Sequence, residues 1–414
     1  MKTVARASVA VVAVGTLFAV ASCGGSSSST VITPPLVANT VTITAGPGPS
    51  TVSPYLNGAF VSVTICVPGS TTQCTTVPNV LLDTGATGLR VLSSALGSLP
   101  LSNSTSAGAT IASCIQYVDL SYNWGPVALA DVRMAGEVAA SLPIQIIADP
   151  ASTFPAAPSS CANGGTAGNT VDTLSANGML GVSSYTYDCD SACAPGTTSN
   201  AGLYYSCSGA ACHVTTVSLA NQVQNPVARF ASDNNGFSVT LPALPDAGVP
   251  ATMGTLTFGI GTQSDNALGS AVVQTPDAYG NFTTMYNGAS YSSSFIDSGS
   301  NAVFFLDSAT TGLTACRYST GFYCPLTTQS LTATNTGVNN HSVSVNFKVA
   351  NLDSLPLANW VFDDVAGSSS GGGSQGGLPS LYFDWGVPFF FGRTVFVAIE
   401  GRSTSGGFGP YWAY

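Results

Sequence analysis

Val80-Leu81-Leu82-Asp83-Thr84-Gly85-Ala86-Thr87-Gly88-Leu89 carries an apolar run into a carboxylate and then into a tight turn. The plan returns 214 residues on (297 − 83), in Ser294-Phe295-Ile296-Asp297-Ser298-Gly299-Ser300-Asn301-Ala302-Val303. Apolar residues running into Asp predict a buried strand end, and Gly two places later permits a sharp turn close to other groups. The separation is too long for a short tandem repeat and suits two related lobes in one chain. An isolated ionised carboxylate at a buried strand end is costly unless another group shares its charge or donates hydrogen bonds to it. A second Asp from a second lobe is such a partner. Two facing carboxylates hold one proton between them, one acting as base and the other as acid. That pair has the chemistry to activate water against an amide carbonyl.

LLDTGATGL and FIDSGSNAV together resemble the duplicated Asp-Thr/Ser-Gly signature of the pepsin-like aspartic peptidases. Each copy is followed at a similar distance by an apolar-apolar-Gly segment. Asn177-Gly178-Met179-Leu180-Gly181-Val182 puts Gly181 at 181 − 83 = 98, and Phe390-Phe391-Gly392 puts Gly392 at 392 − 297 = 95. The resemblance implies that each segment threads beside the turn of its own lobe. It also implies a mainly β, bilobal pepsin-like fold, with two related β-barrel-like lobes and a cleft between them. Asp83 and Asp297 would flank the attacking water. Thr84 and Ser298 would tie the turns together through their hydroxyls, while Gly85 and Gly299 would let the backbone approach the carboxylates. Ser300 matches a position whose hydroxyl supports the outer carboxylate oxygen. Its counterpart Ala86 departs from the usual Ser or Thr and is similar to retroviral relatives. Losing that hydrogen bond makes Asp83 harder to ionise, so activity is expected nearer neutral pH.

The amino-terminal segment reads as an export signal. Lys2 and Arg6 precede a mostly apolar run from Val9 to Val20, which ends in Val20-Ala21-Ser22-Cys23. This resembles a bacterial lipobox, with residues 1–22 removed and Cys23 acylated; an ordinary signal peptide with a Cys near its cleavage site is the alternative. Residues 23–53 are then a tether, flexible at Gly24-Gly25-Ser26-Ser27-Ser28-Ser29, with Thr30 to Ser53 as an extended stalk or a first edge strand. The apolar run is too short for a confident membrane span, so membrane contact is expected only through the lipid. The expected location is the bacterial cell envelope, periplasm-facing or surface-exposed. The chain also resembles an uncharacterised group of bacterial lipoproteins.

Eleven Cys less Cys23 leave an even ten, which in an exported chain read as disulfides. Cys66 with Cys74 and Cys316 with Cys324 are local candidates, and Cys189, Cys193, Cys207 and Cys212 are expected to pair among themselves. The loose spacing of those four argues against zinc. Charged residues make up only 7% of the chain, and without Lys2 and Arg6 the balance is 7 − 19 = −12, which excludes a basic grip on nucleic acid or anionic lipid. The mean hydropathy of +0.32 does not signal membrane spans, because Gly, Ser, Thr and Pro interrupt the apolar residues throughout. That texture predicts a large β-rich protein.

Between the motifs, residues 113–148 read as consecutive strands broken at Asn123-Trp124-Gly125-Pro126. In a pepsin-like lobe a hairpin here folds over the cleft as a flap, which would put Tyr122 and Trp124 near its tip, to close over substrate or else to pack beneath the hairpin. Ser218 through Phe230 reads as a short helix, followed by strands at Phe237–Leu241 and Gly254–Gly259. The lobes are divided as residues 54–262 and 263–414. Ser369 and Ser374 each match GxSxG, but a nucleophile elbow needs a strand before it and a helix after it, and these serines lie in a flexible Gly/Ser tract. His213 and His341 are the only histidines, too few for metal hydrolysis.

Two functions compete. One is an aspartic endopeptidase without metal or organic cofactor, acting as a monomer on a peptide or protein held extended in the cleft. The other is a pepsin-fold envelope protein that binds an extended peptide or glycan without cutting it. Asp-Thr-Gly and Asp-Ser-Gly also occur as ordinary turns, because all of these residue types favour turns.

Overall fold

Gly58–Cys66 and Cys74–Asp83 pair antiparallel with Cys66 opposite Cys74, and a disulfide closes the hairpin between them. In the second strand the alternating exposure of its first half gives way to four buried residues, Val80 to Asp83, so the strand runs from surface to core and ends on the carboxylate. The computed structural model describes residues 38–198, 200–369 and 382–414. Among these residues the fold is mainly β, with a sheet of seventeen strands, a second of seven and a two-stranded ribbon.

Thr40–Gly46 is a regular strand whose Ile43 and Ala45 are buried. It pairs with Thr252–Phe258 on one side and Gly58–Cys66 on the other, so it is an interior strand. The expected tether to residue 53, and the alternative of an edge strand, are corrected here: TVTITAG alternates, and its apolar face belongs to the core. The expected boundary between residues 262 and 263 falls after Thr252–Phe258, and the sheet continues across it. Arg393–Ala398 pairs with Gly236–Leu241, and Tyr411–Ala413 joins both Arg393–Ala398 and Val273–Gln274.

The second sheet gathers Phe282–Tyr286, Ala289–Ile296, Val303–Phe305, Gln329–Thr336, Ser342–Val349, Ala366–Gly367 and Phe383–Trp385. Its core is aromatic: Phe305, Phe347, Phe383 and Trp385 lie with ring centroids 5.1–6.4 Å apart. Such contacts add directional preference to the area they bury.

Two local expectations fail for backbone reasons. Ser218–Phe230 is not one helix but two 3-10 turns, Leu219–Asn221 and Val227–Arg229, because Pro226 disfavours helix in the residue before it and opens the second turn. The hairpin after Ala109–Gln116 does not break at Asn123-Trp124-Gly125-Pro126, which lies inside the strand Tyr122–Met134. It turns at 117–121, where Asp119 accepts from the Ser121 N–H and hydroxyl and Leu120 adopts φ 68°.

Among the described residues five disulfides form: Cys66–Cys74, Cys114–Cys161, Cys189–Cys193, Cys207–Cys212 and Cys316–Cys324. Both local candidates are among them, and the four clustered cysteines pair with one another. This density marks a chain that folds outside the reducing cytoplasm. No helix among the described residues is long and apolar enough to cross a membrane. The proposed signal, Cys23 and Ser374 lie outside the described residues.

Candidate active site

Each Asp stands where one strand ends between two others. Gly178–Val182 runs parallel to Cys74–Asp83 with Gly181 opposite Asp83, and antiparallel to Thr87–Leu92 with Gly181 opposite Gly88. A Cβ on Gly181 would lie 2.8 Å from the Gly88 backbone, so only glycine lets the strands close around the turn. In the second half Phe383–Trp385 runs parallel to Ala289–Ile296, pairing Phe295 with Asp384 and Ile296 with Trp385. The next residue, Gly386, is the counterpart of Gly181; a Cβ there would lie 2.1 Å from the Ala302 carbonyl oxygen. The threading glycine of the second half is therefore Gly386 and not Gly392. Gly392 instead precedes Arg393–Ala398 and donates to Leu241 O. Spacing selects the wrong glycine because Asp384 breaks the apolar pattern of Phe383-Asp384-Trp385-Gly386.

The two turns meet. The Gly85 N–H lies 2.9 Å from Asp83 Oδ1 and 3.2 Å from Asp297 Oδ1, so one donor addresses both carboxylates. Asp83 Oδ1 also accepts from the Ala86 N–H at 2.8 Å, and Asp297 Oδ1 from the Gly299 N–H at 2.7 Å. A Cβ on Gly85 would sit 2.6 Å from Asp297 Cγ, and one on Gly299 would sit 2.8 Å from Asp83 Cγ. The glycines thus leave room for each turn to touch the other's carboxylate. Thr84 and Ser298 are bound reciprocally: the Thr84 N–H donates to Ser298 Oγ at 3.1 Å and the Ser298 N–H to Thr84 Oγ1 at 2.9 Å. Each hydroxyl then donates into the opposite strand, Ser298 to Leu82 O at 2.7 Å and Thr84 to Ile296 O at 3.3 Å.

Asp83 is 4% exposed, whereas Asp297 is half-buried and Gly85 exposed, so the pair opens to solvent on one side. Burial first, and then the Asp297 charge, hold the Asp83 carboxyl well above the ordinary carboxylate range; the Ala86 and Gly85 N–H groups pull the other way. Two acids with one proton between them is the arrangement this favours.

Tyr122 closes the hairpin ladder beside the turn, opposite Gln116, whereas Trp124 is not at the tip. Trp124 is buried beneath it, its Nε1 donating to Pro155 O at 2.7 Å and its ring edge-on to Tyr205, and Tyr122 packs against the same cluster around Cys114 and Cys161. Two tyrosines that the sequence did not single out feel the charges of the carboxylates. Tyr117, at the start of the hairpin turn, donates to Asn123 Oδ1 at 2.6 Å; Tyr117 and Tyr55 pack with Phe60, Leu81 and Met179. Burial and then the charge of Asp297 push the Tyr55 hydroxyl well above the usual phenol range. For Tyr117 burial dominates against the opposing charge of Arg90, and the charge of Asp83 adds to it more weakly.

Two further polar groups stand behind the turns. Ser300 Oγ lies 3.3 Å from Asp297 Oδ2 and 2.6 Å from Asp384 Oδ2. Behind the first turn, buried Arg90 donates to Thr87 O and Gly88 O and pairs with Asp188 at 3.0 Å; Tyr204 donates to the other Asp188 oxygen at 2.5 Å. Burial lifts the Asp188 carboxyl to about 6, against the opposing pull of Arg90. Asp384 had one sequence signal, an acid among aromatics just before a glycine.

Two facing Asp turns, each threaded by a strand that runs into a glycine and locked to the other by hydroxyls, belong to a mainly β, bilobal, pepsin-like fold. The chain belongs to the family described as protein of unknown function (DUF3443), whose family model matches residues 35–414. Among solved structures it is similar to the aspartic proteinase from Irpex lacteus, with 17% identity and a TM-score of 0.49, over 91% of this chain and 96% of that one. No curated protein matches the sequence.

Proposed function

We propose that the chain is an exported aspartic endopeptidase in which Asp83 and Asp297 share one proton and activate water against a peptide carbonyl. The observation that carries this reading is the single Gly85 N–H within hydrogen-bond distance of both Oδ1 atoms, at 2.9 and 3.2 Å. Carboxylates held that close cannot both ionise cheaply, so one acts as base toward the water while the other, protonated, donates to the carbonyl oxygen. When the tetrahedral intermediate collapses, the base passes the proton it took from water to the leaving amine, and the other carboxylate regains its proton from the oxygen it had protonated. Glycine at positions 85 and 299 keeps both carboxylates accessible to a common water, and the Thr84–Ser298 lock fixes their separation as preorganised catalysis requires. An extended peptide would occupy the cleft between the lobes, beneath the hairpin that carries Tyr117. We place the protein in the bacterial envelope, anchored through Cys23.

The test uses the full exported chain with its disulfides formed, presented with a diverse peptide library between about pH 3 and pH 8. Cleavage that is abolished in both Asp83→Asn and Asp297→Asn, and blocked by a statine-type transition-state mimic, is the expected result. Peptides bound but left uncut by folded protein at every pH would replace this reading with that of a binding protein.

A further inference from the structure

Pseudo-symmetry between the halves exposes a difference in what supports each carboxylate. Three residues after Asp83 stands Ala86, and three after Asp297 stands Ser300. Two residues before the threading glycines stand Met179 and Asp384. The first half thus places Ala and Met where the second places Ser and Asp. Met179 packs against Phe60 and Leu81, whereas Asp384 reaches Ser300 Oγ at 2.6 Å. The first-half pair is wholly apolar, so the fold itself does not require the second-half hydrogen bond.

Asp384 is 8% exposed and belongs to none of the ion pairs among the described residues. Its Oδ1 is buried without a hydrogen-bond partner. As an anion it would leave a charged oxygen unpaired; as the acid it leaves only a carbonyl oxygen so, a smaller loss. Oδ1 is then the carbonyl, and Oδ2 bears the proton that faces Ser300. A hydroxyl has one proton and two lone pairs. If Ser300 Oγ accepts from Asp384, its own proton is free to point at Asp297 Oδ2, 3.3 Å away.

We infer that Asp384 is a positioning residue for the dyad: kept as the neutral acid, it donates to Ser300 and so directs the serine's proton to Asp297, which holds Asp297 as the carboxylate and leaves the shared proton on Asp83. The donor count agrees. Asp297 receives two N–H groups and one hydroxyl, and Asp83 receives two N–H groups alone. The groups around Asp384 act in the same direction. Burial, then the charge of Asp297 and more weakly that of Asp83, raise its carboxyl well above the ordinary range, and Ser300 opposes them. Tyr55 and Tyr382, also near Asp384, are themselves raised by burial and stay neutral. The inference deepens the peptidase reading and rests on it for its catalytic consequence: Asp83 is the acid toward the carbonyl and Asp297 the base toward water.

The experiment reads protonation directly, by carboxyl carbon NMR of the aspartate-labelled full chain, with resonances assigned from Asp384→Asn and Asp297→Asn. The expected spectrum has Asp384 protonated at neutral pH and Asp297 ionised. Asp384→Met, which installs the first-half residue, should raise the first titration step of the dyad by about one pH unit or more, and Ser300→Ala should do the same. Asp384→Asn, which keeps an N–H donor toward Ser300, should leave it in place. An ionised Asp384 at neutral pH, or a first titration step of the dyad that neither Asp384→Met nor Ser300→Ala moves, overturns the inference. Peptide cleavage on the same proteins separates the two readings. Intact coupling without cleavage removes the peptidase alone, and cleavage whose acidic limb ignores Asp384→Met and Ser300→Ala removes this inference alone.

Discussion

Thr84 and Ser298 exchange backbone N–H donors for side-chain oxygens, at 3.1 and 2.9 Å, across the interface where the two Asp turns meet. Both residues are 1% exposed, so water cannot replace a lost partner. Ser298→Ala orphans the Thr84 N–H and Leu82 O together. It should cost about 1–3 kcal/mol in a urea or guanidinium unfolding curve. The same change should lower kcat more than it raises KM, because it loosens the carboxylate spacing; a variant as stable and as active as the parent would refute the lock.

Ala86→Ser restores a hydroxyl beside Asp83, at a half-buried site where the 86 N–H already reaches Asp83 Oδ1. A donor to the charged form lowers the affinity of Asp83 for its proton. The alkaline limb of the pH profile for kcat/KM, which reports loss of the proton from Asp83, should therefore move down by about one unit. An unmoved limb would show that the Ala86 and Gly85 N–H groups alone set it.

Gly386→Ala and Gly392→Ala distinguish the two candidate threading glycines of the second half. At 386 the added carbon meets the Ala302 carbonyl at 2.1 Å and Ser300 O at 2.5 Å, both backbone atoms. At 392 its nearest neighbour is Ala243 at 3.4 Å, and the cost is that of φ 72°. Gly386→Ala should destabilise by about 3 kcal/mol or more, and Gly392→Ala by about 1–2 kcal/mol. Thermal melts of the two variants would rank them.

Much of the fold was legible because strand alternation and the duplicated turn are local properties. VLLD read as a buried strand end, and both Asp turns stood where their apolar flanks placed them. The second threading glycine was not legible, since its identity is fixed by the parallel register of Phe295 with Asp384, which no spacing rule contains. The hairpin tip was misplaced because Gly125 and Pro126 punctuate a sequence strongly, yet both are held inside a strand. Tyr55 comes to the carboxylates through packing against Phe60 and Leu81, contacts that sequence proximity does not announce for the site.

Arg90→Met should be among the costliest single changes outside the turns. It leaves the fully buried Asp188 with only Tyr204, and breaking a buried ion pair typically costs about 3–5 kcal/mol. Arg90→Met with Asp188→Asn should recover part of that loss, which a double-mutant cycle in denaturant would measure.

Stability should decline as pH rises from mildly acidic values. Asp188 and Asp364 are lifted to about 6, and Asp83 and Asp384 lie well above their ordinary value of 3.8, each chiefly through burial. Each binds its proton more tightly folded than unfolded. Their contribution is present in full below the unfolded value and is lost as pH rises through the folded one. Asp149, lowered by its bonds from Ser94 and Ser93 despite burial, and Asp307, lowered first by Thr310, lose theirs as pH falls below 3.8. Thermal melts should therefore peak between about pH 4 and pH 5. A Tm that rises steadily to neutral pH would contradict this.

The pairing of Arg393–Ala398 with Gly236–Leu241 sets an order for folding. Gly236–Leu241 precedes by 157 residues (398 − 241) the strand that covers one of its edges. A bare strand edge recruits other chains, so a molecule folding after export stays open to mispairing until Arg393–Ala398 arrives to seal it.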